Sequence, residues 1–258
     1  MLTRMRLTFI LALAGLFLVS CQSVVAEAPT DQEALQDAVN ALLAYERGDC
    51  TTASHLTDPG ELAAWEPTEI RHSMLLLNGF CKELDGDLEA ARGTYDRLIE
   101  EEPASFAAQD AKERSRIIRI NESDPSHSSW MRDARARAMS AESNKSDRVA
   151  LERQPANFPP LAQLSGVGGH VIVEFGVTPT GGTTDPVVIE SVPPLLFDGA
   201  AVRAIRRWEY APRRAASEND VKVIRLLFQS DDSGPASTEP KAIEPESTNE
   251  AAESEDGL

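Results

Sequence analysis

The sequence predicts an α+β protein of two domains, an N-terminal α-helical repeat domain and a C-terminal antiparallel sheet with one helix. Two patterns carry this prediction. Between residues 31 and 120 apolar residues recur at helical spacing, whereas between residues 155 and 229 they alternate as in strands. The 258 residues are enough for two small domains. Residues 121–154 are polar and rich in turn formers, so we expect a linker there, either without regular structure or with one short helix at 129–141.

The first segment of the chain has the organisation of an export signal. Arg4 and Arg6 precede an apolar run, Leu7–Val19, that is too short to span a bilayer comfortably. The sequence Leu18-Val19-Ser20-Cys21 then resembles a bacterial lipobox. The resemblance implies a signal peptide over residues 1–20, an acylated Cys21 and a tether over residues 21–30. The alternative is an ordinary secretory signal cut after Ala26.

Acylation of Cys21 would place the chain on a membrane of the cell envelope, facing the periplasm. Each buried methylene of the acyl chains contributes roughly 0.8 kcal/mol to membrane binding. Gln22 follows the cysteine, where enterobacterial lipoproteins retained at the inner membrane carry an aspartate. Its absence favours the outer membrane.

Charge is distributed unevenly along the chain. The net charge is −17, and residues 31–154 carry 15 basic and 25 acidic side chains. No region is strongly basic, which argues against nucleic-acid binding. Residues 230–258 contain nine acidic side chains and one basic side chain, with almost no large apolar residues. We expect a disordered acidic tail there.

Two cysteines remain if Cys21 is acylated. Cys50 and Cys81 form an even pair in an exported chain, and such pairs are usually oxidised. A disulfide between them would stabilise the fold by roughly 3 to 4 kcal/mol. The alternative is a pair of buried free thiols. The four histidines are scattered and neither cysteine has a metal-site spacing, so no metal or other cofactor is predicted.

Three amphipathic helices and a repeat are predicted in residues 31–120. The helices lie at 31–47, 70–84 and 88–102, the last of them ended by Pro103, and a further helix at 106–120 would cap them. The sequence GDCTTASHL at 48–56 aligns with GDLEAARGT at 86–94. The second copy resembles half of a tetratricopeptide repeat, which makes this a degenerate tetratricopeptide-like region. Such a region is either a protein-binding scaffold or a structural spacer.

The elements of residues 155–229 follow in the order ββαβ. Val171, Val173, Phe175 and Val177 alternate with other residues on the first strand. Gly181-Gly182 permits the tight reversal into a second strand at 185–192. Residues 196–208 form a helix with one broad apolar face that includes Phe197 and Trp208. Residues 221–228 form the last strand.

This segment resembles the C-terminal domain of the TonB energy-transducer family. The matching motifs occur in order along the chain: Phe158-Pro159, Gly169-His170-Val171-Ile172-Val173, Thr178-Pro179-Thr180-Gly181, Phe197-Asp198 and Trp208-Glu209-Tyr210-Ala211-Pro212. In that family the last strand is a sheet edge that accepts an extended peptide of an outer-membrane transporter by β-augmentation. The resemblance implies that the contact residues here are Lys222, Val223, Ile224, Arg225, Leu226, Leu227 and Phe228.

The resemblance also shows what is different in this chain. TonB transducers have an uncleaved N-terminal membrane helix and a long proline-rich arm, whereas this chain has a lipobox and helical repeats. We therefore expect a non-catalytic lipoprotein adaptor in envelope transport or assembly, without a motor of its own. The alternative is an accessory transducer for TonB-dependent transporters. Envelope proteins and a second copy of the chain are the candidate partners. No nucleophile elbow, phosphate loop or metal-ligand cluster points to an enzyme.

Overall fold

The computed structural model describes residues 31–66, 68–124, 126, 132–136, 148–213 and 220–229. The predicted signal peptide, the lipid anchor at Cys21, the tether and the acidic tail at 230–258 lie outside these residues. Within the described part of the chain, no helix combines the length and apolar character needed to cross a membrane.

Seven helices lie before residue 148 in the described part of the chain. Six are α1 Asp31–Glu46, α2 Cys50–Leu56, α3 Pro59–Leu62, α4 Glu69–Leu84, α5 Leu88–Glu101 and α6 Phe106–Ser123. Helix α7 is described at residues 132–136. The predicted helices agree with α1, α4, α5 and α6 to within three residues, because apolar spacing and helix-ending residues determine these segments locally.

The two copies of the Gly-Asp motif have the same local structure. Gly48 and Gly86 adopt φ angles of 77° and 83°, a left-handed conformation that glycine adopts without steric cost. Asp49 then accepts a hydrogen bond from the Thr52 N–H, and Asp87 accepts one from the Ala90 N–H. Each aspartate is thus the N-cap of the following helix. The motif ends one helix and begins the next, and the tetratricopeptide likeness stays a prediction.

A disulfide joins the two helical pairs. It links Cys50, the first residue of α2, to Cys81 in α4, with the Cα atoms 5.3 Å apart. Cys81 is fully buried, and Cys50 packs against the same core. The bond therefore joins the α1–α2 pair covalently to the α4–α5 pair.

The C-terminal sheet has three antiparallel strands in the order β3-β2-β5. Helix α8, Pro160–Ser165, precedes β2 Gly169–Val177 and β3 Thr183–Val192, and helix α9 Asp198–Ile205 precedes β5 Val221–Phe228. Val171, Val173, Phe175 and Val177 are buried, which confirms the predicted alternation on β2. Phe197 and Trp208 are also buried. Helix α9 is shorter than the predicted helix at 196–208, because Leu195 adopts a positive φ before it and a turn follows it.

The segment expected to be a linker, 121–154, contains regular structure. Helix α6 continues to Ser123, and strand β1 Ala150–Glu152 pairs with the short strand β4 Glu209–Tyr210. Ala134 of α7 packs against Ile189 and Val223 on the outer face of the sheet. The polar composition indicated a solvated segment, but few apolar residues suffice for strand pairing and for one helical contact.

The core is continuous between the helical part and the sheet. One cluster of buried side chains runs from Ala38 in α1 to Phe228 in β5. The helical part and the sheet are therefore packed together in the described residues, because α8 packs against α1 and α4, and α9 packs against α6 as well as β2 and β3.

Candidate protein-binding edge

All seven predicted contact residues lie in β5, which is an edge strand among the described strands. Its pairing with β2 is regular over eight consecutive residue pairs, from Gly169 opposite Phe228 to Gly176 opposite Val221. The strand contains no proline. In a regular strand of this kind, the backbone groups of alternate residues face away from the neighbouring strand.

The outward-facing backbone groups of β5 follow from its register. The Val177 N–H donates to the Asp220 carbonyl at 2.8 Å, so this pair is a hydrogen-bonded one. Such pairs alternate with non-bonded pairs along an antiparallel ladder. Ile224, opposite Val173, therefore pairs with β2, whereas the N–H and C=O groups of Arg225 and Leu227 point away from it.

The side chains of β5 contribute less to the outer surface than its backbone does. Four of the seven predicted contact side chains, Lys222, Val223, Leu226 and Phe228, are buried, and Ile224 and Leu227 are partly buried. Only Arg225 among the seven is exposed. A partner at this edge would consequently be recognised mainly by backbone pairing.

Both ends of β5 are held by buried contacts. At its start, the Arg148 guanidinium donates to the Asp220 carboxylate at 2.7 Å and to the Thr178 carbonyl at 2.7 Å. At its end, the Phe228 ring stacks on Phe197 at 4.4 Å and lies edge-on to Phe158 at 5.9 Å. These contacts hold the strand in place before any partner binds, which lowers the entropic cost of binding.

The other edge strand, β3, is irregular. Its register against β2 shifts between Ile172 and Val173 and again between Glu174 and Gly176. Pro186 has no N–H to donate. Bulges and prolines are the features that discourage pairing at a sheet edge. Helix α6 also stands beside β3, and the two enclose a groove of about 890 Å³.

A buried ionic network joins α6 to the helices on either side. The Arg114 guanidinium donates to the Glu83 carboxylate in α4, with Nε 3.1 Å from Oε2, and its Nη1 lies 3.4 Å from Asp198 Oδ2 in α9. Tyr95 of α5 donates its hydroxyl to Glu83 Oε2 at 2.9 Å. The network thus spans the contact between the helical part and the sheet domain.

A second ion pair, between the buried Asp110 and the partly buried Arg203, lies next to this network. Arg203 of α9 donates to the Asp110 carboxylate of α6, and Gly199 leaves room for that carboxylate. Burial raises the pKa of Asp110 to about 6, although the Arg203 cation opposes the shift. Burial also raises the pKa of Asp198, again against the effect of a neighbouring guanidinium, that of Arg114.

Sequence reasoning missed these groups. Arg114 lies on the buried face of α6 with Ala107, Ala111 and Ile118, at helical spacing. A charged residue at that position is the signal for a buried ion pair, since an unpaired charge would be too costly there. Arg148 lay within the predicted linker and carried no signal. Within the described residues, no group of three or more His, Cys, Asp or Glu side chains is placed to hold a metal ion.

Comparisons with known proteins concern the sheet domain. Residues 154–229 match the family described as Gram-negative bacterial TonB protein C-terminal. Protein TonB of Pseudomonas aeruginosa is 38% identical over 85 residues, which cover 33% of this chain and 25% of that protein. Protein TonB of Escherichia coli is 32% identical over 80 residues, which cover 31% of this chain and 32% of that protein. The chain therefore spans a quarter to a third of the length of these relatives.

A solved structure matches the same share of the chain. The solution NMR structure of the Pseudomonas aeruginosa TonB C-terminal domain is 32% identical, covers 33% of this chain and 89% of that one, and has a TM-score of 0.29. The sequence matches agree with the motifs between Phe158 and Pro212 and with the family match over 154–229. Residues 154–229 of this chain are a TonB C-terminal domain.

Proposed function

We propose that this chain is a non-catalytic, periplasm-facing lipoprotein that binds extended segments of other envelope proteins along the outer edge of β5. It acts as an adaptor in envelope transport or assembly. Cys21 carries the lipid anchor and holds the protein on the outer membrane. Because the helical part packs against α8 and α9, the anchor holds the helical part and the binding domain together.

The difference between the two sheet edges is the observation that carries this proposal. β5 is regular, lacks proline and is held at both ends, whereas β3 has Pro186, two register shifts and a helix beside it. An added strand needs a continuous row of outward N–H and C=O groups. Arg225 and Leu227 supply such groups on β5. A second copy of the chain could pair through the same edge, which makes a homodimer a further candidate complex.

The second candidate function is an accessory energy transducer for TonB-dependent outer-membrane transporters. The match of residues 154–229 to the TonB C-terminal family favours it. The two functions differ in the partner segment, because a transducer would bind the N-terminal segment of a transporter. They also differ in whether binding depends on the proton-motive force.

Photo-cross-linking in cells tests both functions. A photoreactive amino acid replaces Arg225, and the captured peptides are identified by mass spectrometry. The same amino acid at Arg97, an exposed position of α5, is the matched control. The cross-linking variant is then combined with Leu227→Pro, which removes one outward N–H without removing a bond to β2, or with Leu227→Ala, which keeps that N–H.

The expected result is capture of an extended envelope-protein segment from position 225 and not from position 97, lost with Leu227→Pro and retained with Leu227→Ala. Capture of transporter N-terminal segments that stops when the proton-motive force is dissipated would favour the transducer. Capture of lipoproteins or assembly factors would favour the adaptor. No specific capture at 225, or capture insensitive to Leu227→Pro, would exclude the edge as the binding site.

A further inference from the structure

The groove between β3 and α6 forms a second surface, separate from the β5 edge. Six consecutive residues, 186–191, line it on the strand side. Side chains of consecutive strand residues point to opposite faces of a sheet. A groove on one face would contact only every second residue, so a groove lined by all six runs along the edge of β3. Ile117 and Ile120 of α6 form part of the opposite wall, and Leu195 and Val202 add further apolar surface.

The rim of this groove carries three exposed arginine side chains, those of Arg116, Arg135 and Arg206. Arg116 and Arg206 both contact the Glu113 carboxylate, with the nearest N–O distances at 2.6 Å and 3.2 Å. Their side chains are 47% and 44% exposed, whereas Glu113 is 12% exposed. Arg135 is 62% exposed and pairs at 3.4 Å with Glu190, which is 33% exposed. The groove therefore combines apolar walls with guanidinium groups that remain accessible to an acidic ligand.

The irregular edge of β3 determines how a ligand could be held. Pro186 and the register shifts interrupt the row of backbone groups that an added strand would need. A ligand in this groove would therefore be held by side-chain charge and apolar contact. The β5 edge has the opposite properties, with regular backbone groups and few accessible side chains.

We propose that the chain's own acidic segment, residues 230–258, occupies this groove. The segment follows Phe228 and Gln229, and Phe228 pairs with Gly169 at the end of the sheet where Val192 of β3 pairs with His170. Two strand spacings, about 10 Å, separate β5 from β3 at that end. Roughly three extended residues cover this distance, so the segment can reach the groove and run back along β3.

The composition of the segment fits the groove. Residues 230–258 carry nine acidic side chains and one basic side chain. Ile243 lies directly before Glu244 and two residues after Lys241, so the segment offers an apolar side chain next to a carboxylate. Because residues 31–154 are also acidic, the rest of the helical part repels the segment and favours its location at the arginine-rich rim. The covalent connection adds a high effective concentration.

Paramagnetic relaxation tests this arrangement in the full chain. In a protein with Cys21→Ser and Ser247→Cys, the Cys50–Cys81 disulfide leaves the introduced thiol as the single site for a nitroxide label. Methyl NMR of labelled isoleucines then reports on Ile117 and Ile120. Ile70 is the internal control, because it lies away from the groove. Its neighbour Glu69 accepts a hydrogen bond from the Phe106 N–H, at the end of α6 that is opposite to Ile117 and Ile120.

The expected result is loss of the Ile117 and Ile120 methyl signals, with the Ile70 signal retained. The loss should be reversed by Arg116→Gln with Arg206→Gln and by high salt, but not by Arg97→Gln on α5. Unchanged Ile117 and Ile120 signals would overturn the proposal. So would a loss seen equally when labelled and isotope-enriched molecules are mixed, because the occupant would then be a second copy.

Discussion

The helical part and the sheet domain of this protein are held together by different means. The helical part has mostly local contacts, two similar Gly-Asp turns and a disulfide, whereas the sheet depends on pairs that are distant in sequence, such as Gly169 with Phe228. Yet both share one core, and Arg114 forms ion pairs with each. The comparison indicates that these two modes of assembly produce one cooperative unit.

Loss of Arg114 is expected to have the largest effect on this unit. Arg114→Ala would leave Glu83 and Asp198 buried without their cation, and breaking such a buried pair costs about 3–5 kcal/mol. Denaturant unfolding of two single-tryptophan proteins, one keeping Trp65 in the helical part and one keeping Trp208 in the sheet domain, measures the cost in each part by fluorescence. We expect one coincident transition at lower denaturant concentration.

The matched control for Arg114→Ala is Arg116→Ala on the exposed face of the same helix, which should change stability by less than about 0.5 kcal/mol. Two separate transitions in wild-type protein, with only one displaced by Arg114→Ala, would mean that the helical part and the sheet unfold independently.

Removal of the disulfide, which lies in the helical part, tests whether the helical part and the sheet unfold as one unit. Cys50→Ala with Cys81→Ala frees a loop with a sequence separation of 31, which costs about 3–4 kcal/mol. In one cooperative unit the slowest-exchanging amides of β2 lose protection together with those of α4. Hydrogen exchange measures the protection of the β2 and α4 amides in one experiment. Wild-type protein with its disulfide reduced is the control, because it lacks the bond but keeps the cysteine side chains. Unchanged protection in β2 would contradict the single unit.

Stability should depend on pH in opposite directions at two places. One is the contact between the two parts, where Asp110 lies, and the other is a helix N-terminus, where Asp49 is the N-cap. The pKa of Asp110 is about 6 when folded and 3.8 in the reference state, so its contribution is greatest below pH 3.8 and is lost as pH rises through about 6. The change amounts to about 3 kcal/mol. Asp110→Asn should remove this component from unfolding free energies measured between pH 4 and 8.

The pKa of Asp49 is shifted in the opposite direction from that of Asp110, so Asp49 serves as the control. Its hydrogen bonds to Thr52 lower its pKa, so its contribution is present above pH 3.8 and is lost as pH falls through the lowered pKa. Asp49→Asn should therefore change the profile only on the acidic side. If Asp110→Asn leaves the profile between pH 4 and 6 unchanged, the Asp110 carboxyl is not perturbed by burial.

The sequence predicted the elements better than it predicted their packing. Helices α1, α4, α5 and α6, the buried face of β2 and the position of β5 follow from spacing, glycine turns and motif matches. These are local features. The contact between α6 and α9 is not local, because Asp110 and Arg203 are 93 residues apart and only the folded chain brings them together.

The candidate site shows the same limit. The residues that the sequence singles out, Lys222–Phe228, all lie in one edge strand, β5. The sequence could not show that Pro186 and the register shifts make β3 a poor partner, because an irregular edge is recognised only when both edges are compared. Nor could it show that α6 stands beside β3. Arg148 was missed because a single arginine in a polar segment has no periodic pattern around it.

The aromatic contact at the end of β5 has a mechanical consequence. Phe228 packs on Phe197 and Phe158, Phe158 lies just before α8, and α8 packs against α1 and α4. Tension applied along β5 would act in shear on all its hydrogen bonds to β2 together, whereas a transverse pull would open them one by one. The same tension would pass through the aromatic rings into the helical part, so a strand added to β5 would pull on the whole molecule.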